Sequence, residues 1–200
     1  MTRAAPVLTA LAISYPLVSH AASVLGRPEV SLLWLCLLPL AGFCLGKRSR
    51  FALSVGALCF GAAVVGYLSG SAEVLLRMPP VIVFAGLTWF FGRSLRPGRT
   101  PLAVLIGERV RGELPAPVAR YGRRLTQIWT LLFLALAIEC ALLGLFAPPF
   151  WWSLFTNFIN FALMALLFVG EYPVRRAVLG DLEQTSFLDG LREAARVHLR

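Results

Sequence analysis

The sequence predicts an all-α integral membrane protein, a polytopic helical bundle with about six transmembrane helices and both termini in the cytoplasm. Hydrophobic residues make up 58% of its 200 residues and charged residues only 14%, whereas a soluble domain carries about 25% charged residues. Apolar runs recur along the chain, and the mean hydropathy is +0.75. Basic residues are distributed unevenly between successive connections. This composition excludes a water-soluble enzyme, a disordered chain and a small secreted scaffold.

Six apolar segments define the predicted spans, because a helix needs roughly 20 apolar residues to cross a bilayer core. They cover residues 7–25, 30–46, 51–68, 74–92, 125–146 and 152–171. We expect a transmembrane domain over residues 1–176, with a cytoplasmic loop at 93–124, and an amphipathic tail at 177–200. The first segment also resembles a signal peptide, through Arg3 and Ser19-His20-Ala21. Its long apolar run favours a retained span.

The basic residues set the predicted orientation. One set of connections contains Arg3, the Lys47–Arg50 cluster, the 93–124 loop and the tail, and carries 17 of the 19 Lys and Arg residues. The opposite set contains only Arg27 and Arg77. Because cytoplasmic loops carry the excess of Lys and Arg, the long loop and both termini are predicted to be cytoplasmic.

Two segments outside the spans are predicted to form amphipathic helices. In the long loop, Thr100 is expected to cap a helix with Pro101 as its first residue. The run 102–112 then places its apolar residues on one side, as in a helix that lies on a membrane surface. In the tail, Ser186 is expected to cap a second helix, with Asp189 three residues later.

Small residues recur at four- and five-residue spacing in the second and third spans. They are Gly42, Gly46, Ala57, Gly61, Ala62, Gly66 and Gly70. Such spacing lets helices approach closely, either within one bundle or in a homodimer. The cysteines form no CxxC pair and have few histidines near them, which predicts neither a disulfide nor a metal site, and no cofactor. The cysteines are Cys36, Cys44, Cys59 and Cys140.

Four polar side chains in or beside the spans are candidates for a functional role, since an ionisable residue is costly in hydrocarbon. Glu139 lies well inside the fifth span and must be neutral or paired there. It is either a protonatable group or a carboxyl that bonds a neighbouring helix through His20 or Asn157. Glu171 ends the sixth span, and either pairs with Arg175 one turn later or reaches the basic loop.

Arginines dominate the predicted cytoplasmic surface. The 93–124 loop holds eight arginines against two glutamates, and nearly every basic residue of the chain is arginine. Guanidinium groups bind phosphates and carboxylates through paired hydrogen bonds. The surface is therefore predicted to contact anionic lipid headgroups or a specific anionic partner, whereas the hydropathy argues against nucleic acid. The candidate residues are Arg93, Arg96, Arg99, Arg120, Arg123, Arg124, Arg175 and Arg176.

Several short strings resemble those of a known family. They are FGRSLRPGRTPL (91–102), RYGRRLT (120–126) with Trp129, WSLF (152–155) with NF (157–158), and GEY (170–172) with RR (175–176). Together they resemble small polytopic inner-membrane proteins of Gram-negative bacteria encoded beside aryl-polyene (xanthomonadin-like) pigment and fatty-acyl synthesis enzymes. The resemblance covers about residues 78–176 and implies the bacterial inner membrane. It implies a setting in which acyl chains travel on acidic carrier proteins, and it implies no reaction.

These features lead to three hypotheses about the function. The first is a non-catalytic component of an acyl or aryl-polyene lipid pathway that docks acidic carrier protein, pathway enzymes or anionic lipid through its arginines. The second is a small transporter or flippase for the lipid product that uses Glu139 as a protonatable group. The third, an intramembrane acyl or prenyl transferase, lacks a recognisable motif: no HxxxxD, DDxxD or Ser/His/Asp set is present. The sequence therefore predicts no catalytic residue.

Overall fold

The computed structural model describes residues 4–45 and 50–180, apart from some side chains within the helices. This part of the chain is helical and contains no strand. In chain order, the elements are α1 (Ala4–Val24), α2 (Pro28–Leu45), α3 (Arg50–Ser69), α4 (Ala72–Ser94), α5 (Leu102–Arg111), α6 (Ala116–Phe146), α7 (Pro149–Leu154), a π-helical turn (Phe155–Ile159) and α8 (Asn160–Leu179).

Three helical stretches are long and apolar enough to cross a membrane by length and composition. They are Glu73–Ser94, Ala116–Phe146 and the continuous run Pro149–Leu179. Large apolar side chains on these helices are exposed, among them Leu131, Leu145 and Leu166. A soluble monomer rarely exposes so much contiguous apolar surface, whereas lipid solvates it. The all-helical prediction is confirmed, together with the presence of helices suited to a membrane.

The helices extend beyond several of the predicted segments. The fifth apolar segment was expected from residue 125, but α6 begins at Ala116. The arginines in the first part of α6 lower its hydropathy, so the predicted apolar segment begins later than the helix, although arginine itself favours a helix. The fourth helix likewise begins at Ala72 and continues through Pro79 and Pro80. The predicted tail helix at Ser186 and the Lys47–Ser49 part of the basic cluster lie outside the described residues.

The chain forms two compact units, of which the first comprises Met1–Val83 and Leu136–Phe161. Its apolar core contains Leu32, Leu76 and Trp152, with Leu143 packed against them. Small hydroxyl residues let α1 and α2 approach closely, as expected for helices in lipid. Ser31 is fully buried, and its hydroxyl donates a hydrogen bond to the Ser19 carbonyl at 3.5 Å.

The second unit comprises Phe84–Ala135 and Ala162–Arg200, of which residues after 180 are not described. Its packing centres on the buried ring of Phe133. That ring stacks on Phe84 at a centroid distance of 6.5 Å, and meets Phe91 edge-on at 5.1 Å and Trp129 at 5.4 Å. Aromatic pairs in these arrangements add about 0.5–1.5 kcal/mol each to the burial of their surface. The aromatic cluster therefore joins α4 to α6 within this unit.

Candidate functional site

In the second unit, α5 is held against the start of α6 by a close backbone approach. A Cβ on Gly122 would lie 2.8 Å from Cγ2 of Val104 and 3.3 Å from its backbone nitrogen. Real Cβ contacts are essentially never this short, so glycine permits the contact by lacking a side chain. Val104 is buried, whereas Ile106 and Val110 remain exposed. An apolar strip of α5 is thus available to a membrane surface.

The start of α5 is capped by residues distant in sequence. We expected Thr100 as the cap and Pro101 as the first helical residue, but this was wrong by one position: Pro101 is the cap and the helix begins at Leu102. Thr100 is not needed as an acceptor, because other hydroxyl groups accept hydrogen bonds from the first free N–H groups. The Leu102 N–H donates to Ser94 Oγ, and the Ala103 N–H to Thr126 Oγ1, both at 3.1 Å.

Glu171 joins α8 to the start of α6 in the same unit. Its Oε1 accepts a hydrogen bond from the Tyr121 hydroxyl at 3.0 Å and lies 3.4 Å from Nε of Arg175. The ion pair of Glu171 with Arg175, one turn later along α8, was one of the two expected arrangements. A reach towards Arg123 or Arg124 was also considered, but the contact to α6 is made by Tyr121, which the sequence analysis did not identify.

Six of the predicted anion-binding arginines are exposed, and we call them the arginine surface: Arg96, Arg99, Arg120, Arg123, Arg124 and Arg176. Arg123 donates a hydrogen bond to the Leu95 carbonyl at 3.0 Å. None of the six forms an ion pair with another described residue. The remaining two candidates have other roles: Arg175 pairs with Glu171, and Arg93 lies over the rings of Trp89 and Phe90 at 4.7 and 4.8 Å.

In the first unit, Glu139 is half-buried and contacts two buried side chains, Cys140 and Asn160, in what we call the buried carboxyl cluster. Asn160 Nδ2 donates to Glu139 Oε2 at 2.9 Å and to Cys140 Sγ at 3.3 Å. The Cys140 thiol donates to the same Oε2 at 3.5 Å. Cys140 and Asn160 are completely buried. The carboxyl therefore reaches a neighbouring helix, but through a residue other than the two expected.

His20 and Asn157 make different contacts, so both proposed partners of Glu139 were wrong. His20 Nδ1 lies 2.5 Å from Ser153 Oγ, and the imidazole contacts the rings of Phe150 and Phe158. Asn157 lies within the π-helical turn and donates to the Ser153 carbonyl at 2.9 Å. A π turn contains one residue more than an α turn, so it changes the face on which later residues lie. Sequence periodicity cannot show this shift.

A cavity of about 510 Å³ lies in the first unit between α4 and α6. Its walls are mainly apolar, with Cys140 on the α6 side and the paired Glu73 and Arg77 on the α4 side. Arg77 also donates to the Gly144 carbonyl at 2.6 Å, and lies over the Trp152 ring. From the distribution of basic residues, Arg77 was expected in an outer connection. The i, i+4 spacing of Glu73 and Arg77 was the signal for their pairing.

No protein-family model, curated protein or solved structure matches this chain.

Proposed function

We propose that this protein is a non-catalytic inner-membrane component of an acyl or aryl-polyene lipid pathway in a Gram-negative bacterium. It crosses the membrane six times, with both termini and the 93–124 loop in the cytoplasm. Its arginine surface docks acidic carrier protein, pathway enzymes or anionic lipid. The family setting behind this proposal rests on the resemblance of the strings within residues 78–176.

The observation that carries the proposal is a set of exposed guanidinium groups that form no ion pair with another residue in the described part of the chain. They lie in the connection after α4, at the start of α6 and at the end of α8, in the same unit as the site where α5 docks. Arginine in such a position binds carboxylates and phosphates bidentately at little cost in desolvation. The start of α6, which carries three of these arginines, is held in place by contacts of Gly122, Thr126 and Tyr121 with neighbouring helices. These contacts support a stable surface.

Carrier docking is tested by co-purification of the full chain with an acidic acyl carrier protein. The variant Arg120→Gln with Arg124→Gln removes two exposed charges and leaves the Arg123 bond to Leu95 intact. At about 0.5 kcal/mol for each exposed charge pair, recovery should fall about fivefold. Wild-type recovery should also decrease as salt is raised, because exposed charges are screened.

The matched control compares the single variants Arg120→Gln and Arg27→Gln. Arg27 is also exposed, but it lies in the connection between α1 and α2. Only Arg120→Gln should reduce recovery of the carrier protein. Equal recovery from the wild type and the double variant would contradict carrier docking, and salt-independent recovery would contradict an electrostatic contact.

A second candidate function, a small transporter or flippase for the lipid product, is favoured by the cavity beside the buried carboxyl cluster. The cavity reaches Cys140, whose thiol contacts the Glu139 carboxyl. An ionisable group at such a position is typical of proton-coupled transport. In this function, Glu139 changes its protonation as the lipid moves between leaflets.

Transport is tested by measuring the leaflet distribution of the lipid product in strains that carry Glu139→Gln. The control is Glu108→Gln, which alters an exposed carboxylate of α5. The account expects product to accumulate in the inner leaflet only in the Glu139→Gln strain. A normal distribution in that strain would eliminate this candidate function.

A further inference from the structure

The hydrogen bonds of the buried carboxyl cluster are unevenly divided between the two oxygens of Glu139. Oε2 accepts from both Asn160 Nδ2 and the Cys140 thiol. Oε1 is buried and has no partner among the described residues. An ionised carboxylate has two equivalent acceptor oxygens, and burial of one without any donor is unfavourable.

Asn160 also has an acceptor oxygen without a hydrogen-bond donor among the described residues. Its amide nitrogen carries two hydrogens and donates to both Glu139 Oε2 and Cys140 Sγ. Its acceptor Oδ1 is buried without a donor within the described part of the chain. The cluster therefore holds two acceptors without a donor among the described residues, Glu139 Oε1 and Asn160 Oδ1, and a proton on Oε1 would turn one of them into a donor.

We infer that Glu139 is a neutral carboxylic acid, with its proton on Oε1 and shared with Asn160 Oδ1, so that the cluster is a binding site for one proton. In this state, Oε2 is the carbonyl oxygen and accepts two hydrogen bonds. Oε1 is the hydroxyl oxygen and donates one. Acid and amide then form two parallel hydrogen bonds, which satisfy the polar atoms of both side chains.

The charges around the cluster support the neutral form. Glu139 makes no ion pair with a described residue. On α4, Glu73 and Arg77 line the cavity but are paired with each other. On α1, His20 contacts Ser153 of α7. An isolated carboxylate in apolar surroundings is costly, and groups in this situation become neutral by binding a proton.

The wall of the cavity adjoins the carboxyl cluster. Cys140 belongs both to the cluster and to the cavity wall, and its thiol bonds Glu139 Oε2. Polar groups at the Glu73–Arg77 side can hold water within the cavity. The inference goes beyond both candidate functions, because it concerns the protonation state of the carboxyl and holds with or without lipid transport.

Infrared spectroscopy of the full-length chain, purified in a detergent that has no carbonyl group, tests the inference. At neutral pH, the difference spectrum between the wild type and Glu139→Gln should contain the C=O stretch of one protonated carboxylic acid. Labelling glutamate with carbon-13 should shift this band to lower frequency. A difference spectrum that contains only carboxylate bands would overturn the inference.

Two asparagine variants test the assigned partner. In Asn160→Ala, the carbonyl oxygen loses its N–H donor, so the C=O band should move to higher frequency. In the control Asn157→Ala, the band should not move, because Asn157 bonds the Ser153 carbonyl. A band that stays in place in Asn160→Ala would contradict the acid–amide pair. If that variant does not fold, the wild-type band and its isotope shift still decide the protonation state.

Discussion

The Glu171 carboxylate has two partners, of which one lies on another helix. The Tyr121 hydroxyl donates to it from α6, and the Arg175 guanidinium lies one turn away on α8. The arginine pair lies within a single helix, so it contributes nothing to the joining of α6 and α8. Tyr121 therefore contributes a contact between α6 and α8, next in sequence to Arg120 of the arginine surface.

Replacement of Tyr121 by phenylalanine should lower the stability of the second unit. The ring remains, but the hydroxyl donor to Glu171 is removed, which costs about 1 kcal/mol. For a chain of this size, the melting temperature in detergent should fall by about 2–4 °C. The control is Tyr67→Phe, whose side chain is exposed on α3. An equal effect of the two substitutions would contradict a structural role for the Tyr121 hydroxyl.

At the scale of elements, α5 depends on features that the sequence reveals only in part. Its position and amphipathic character were evident from Pro101 and the apolar spacing that follows. Its cap was not evident from the sequence, because the acceptors of its first N–H groups, Ser94 and Thr126, belong to other helices. The same limit applies to Glu139, whose partner Asn160 comes after a π turn. Periodicity predicts helices well, but it does not predict which side chains of different helices meet.

Replacement of Gly122 by alanine should displace α5 from α6. The added Cβ would overlap Val104, whose branched side chain and backbone cannot both withdraw. Overpacking of this kind costs about 1–3 kcal/mol. Hydrogen exchange of the α5 amides should therefore become faster. Gly86→Ala is the control, since a Cβ there meets nothing within 4 Å. If α5 exchange is unaffected in Gly122→Ala, the close approach is not what holds the helix.

For the whole molecule, composition determines the class of protein before any contact is considered. The apolar segments mark the centres of the long helices, whereas their ends depend on residues that hydropathy scores poorly, such as the arginines at the start of α6. The side of the membrane on which these arginines lie is predicted from their uneven distribution between the connections. The proposed docking of cytoplasmic partners on the arginine surface depends on that orientation.

Cysteine labelling in intact cells tests the orientation most directly. In a chain whose four native cysteines are replaced by alanine, Pro115→Cys and Pro148→Cys each introduce one exposed thiol, before and after α6. A membrane-impermeant maleimide should label Pro148→Cys in intact cells, but Pro115→Cys only after the inner membrane is permeabilised. Labelling of Pro115→Cys in intact cells would place the arginine surface outside the cytoplasm and contradict the account.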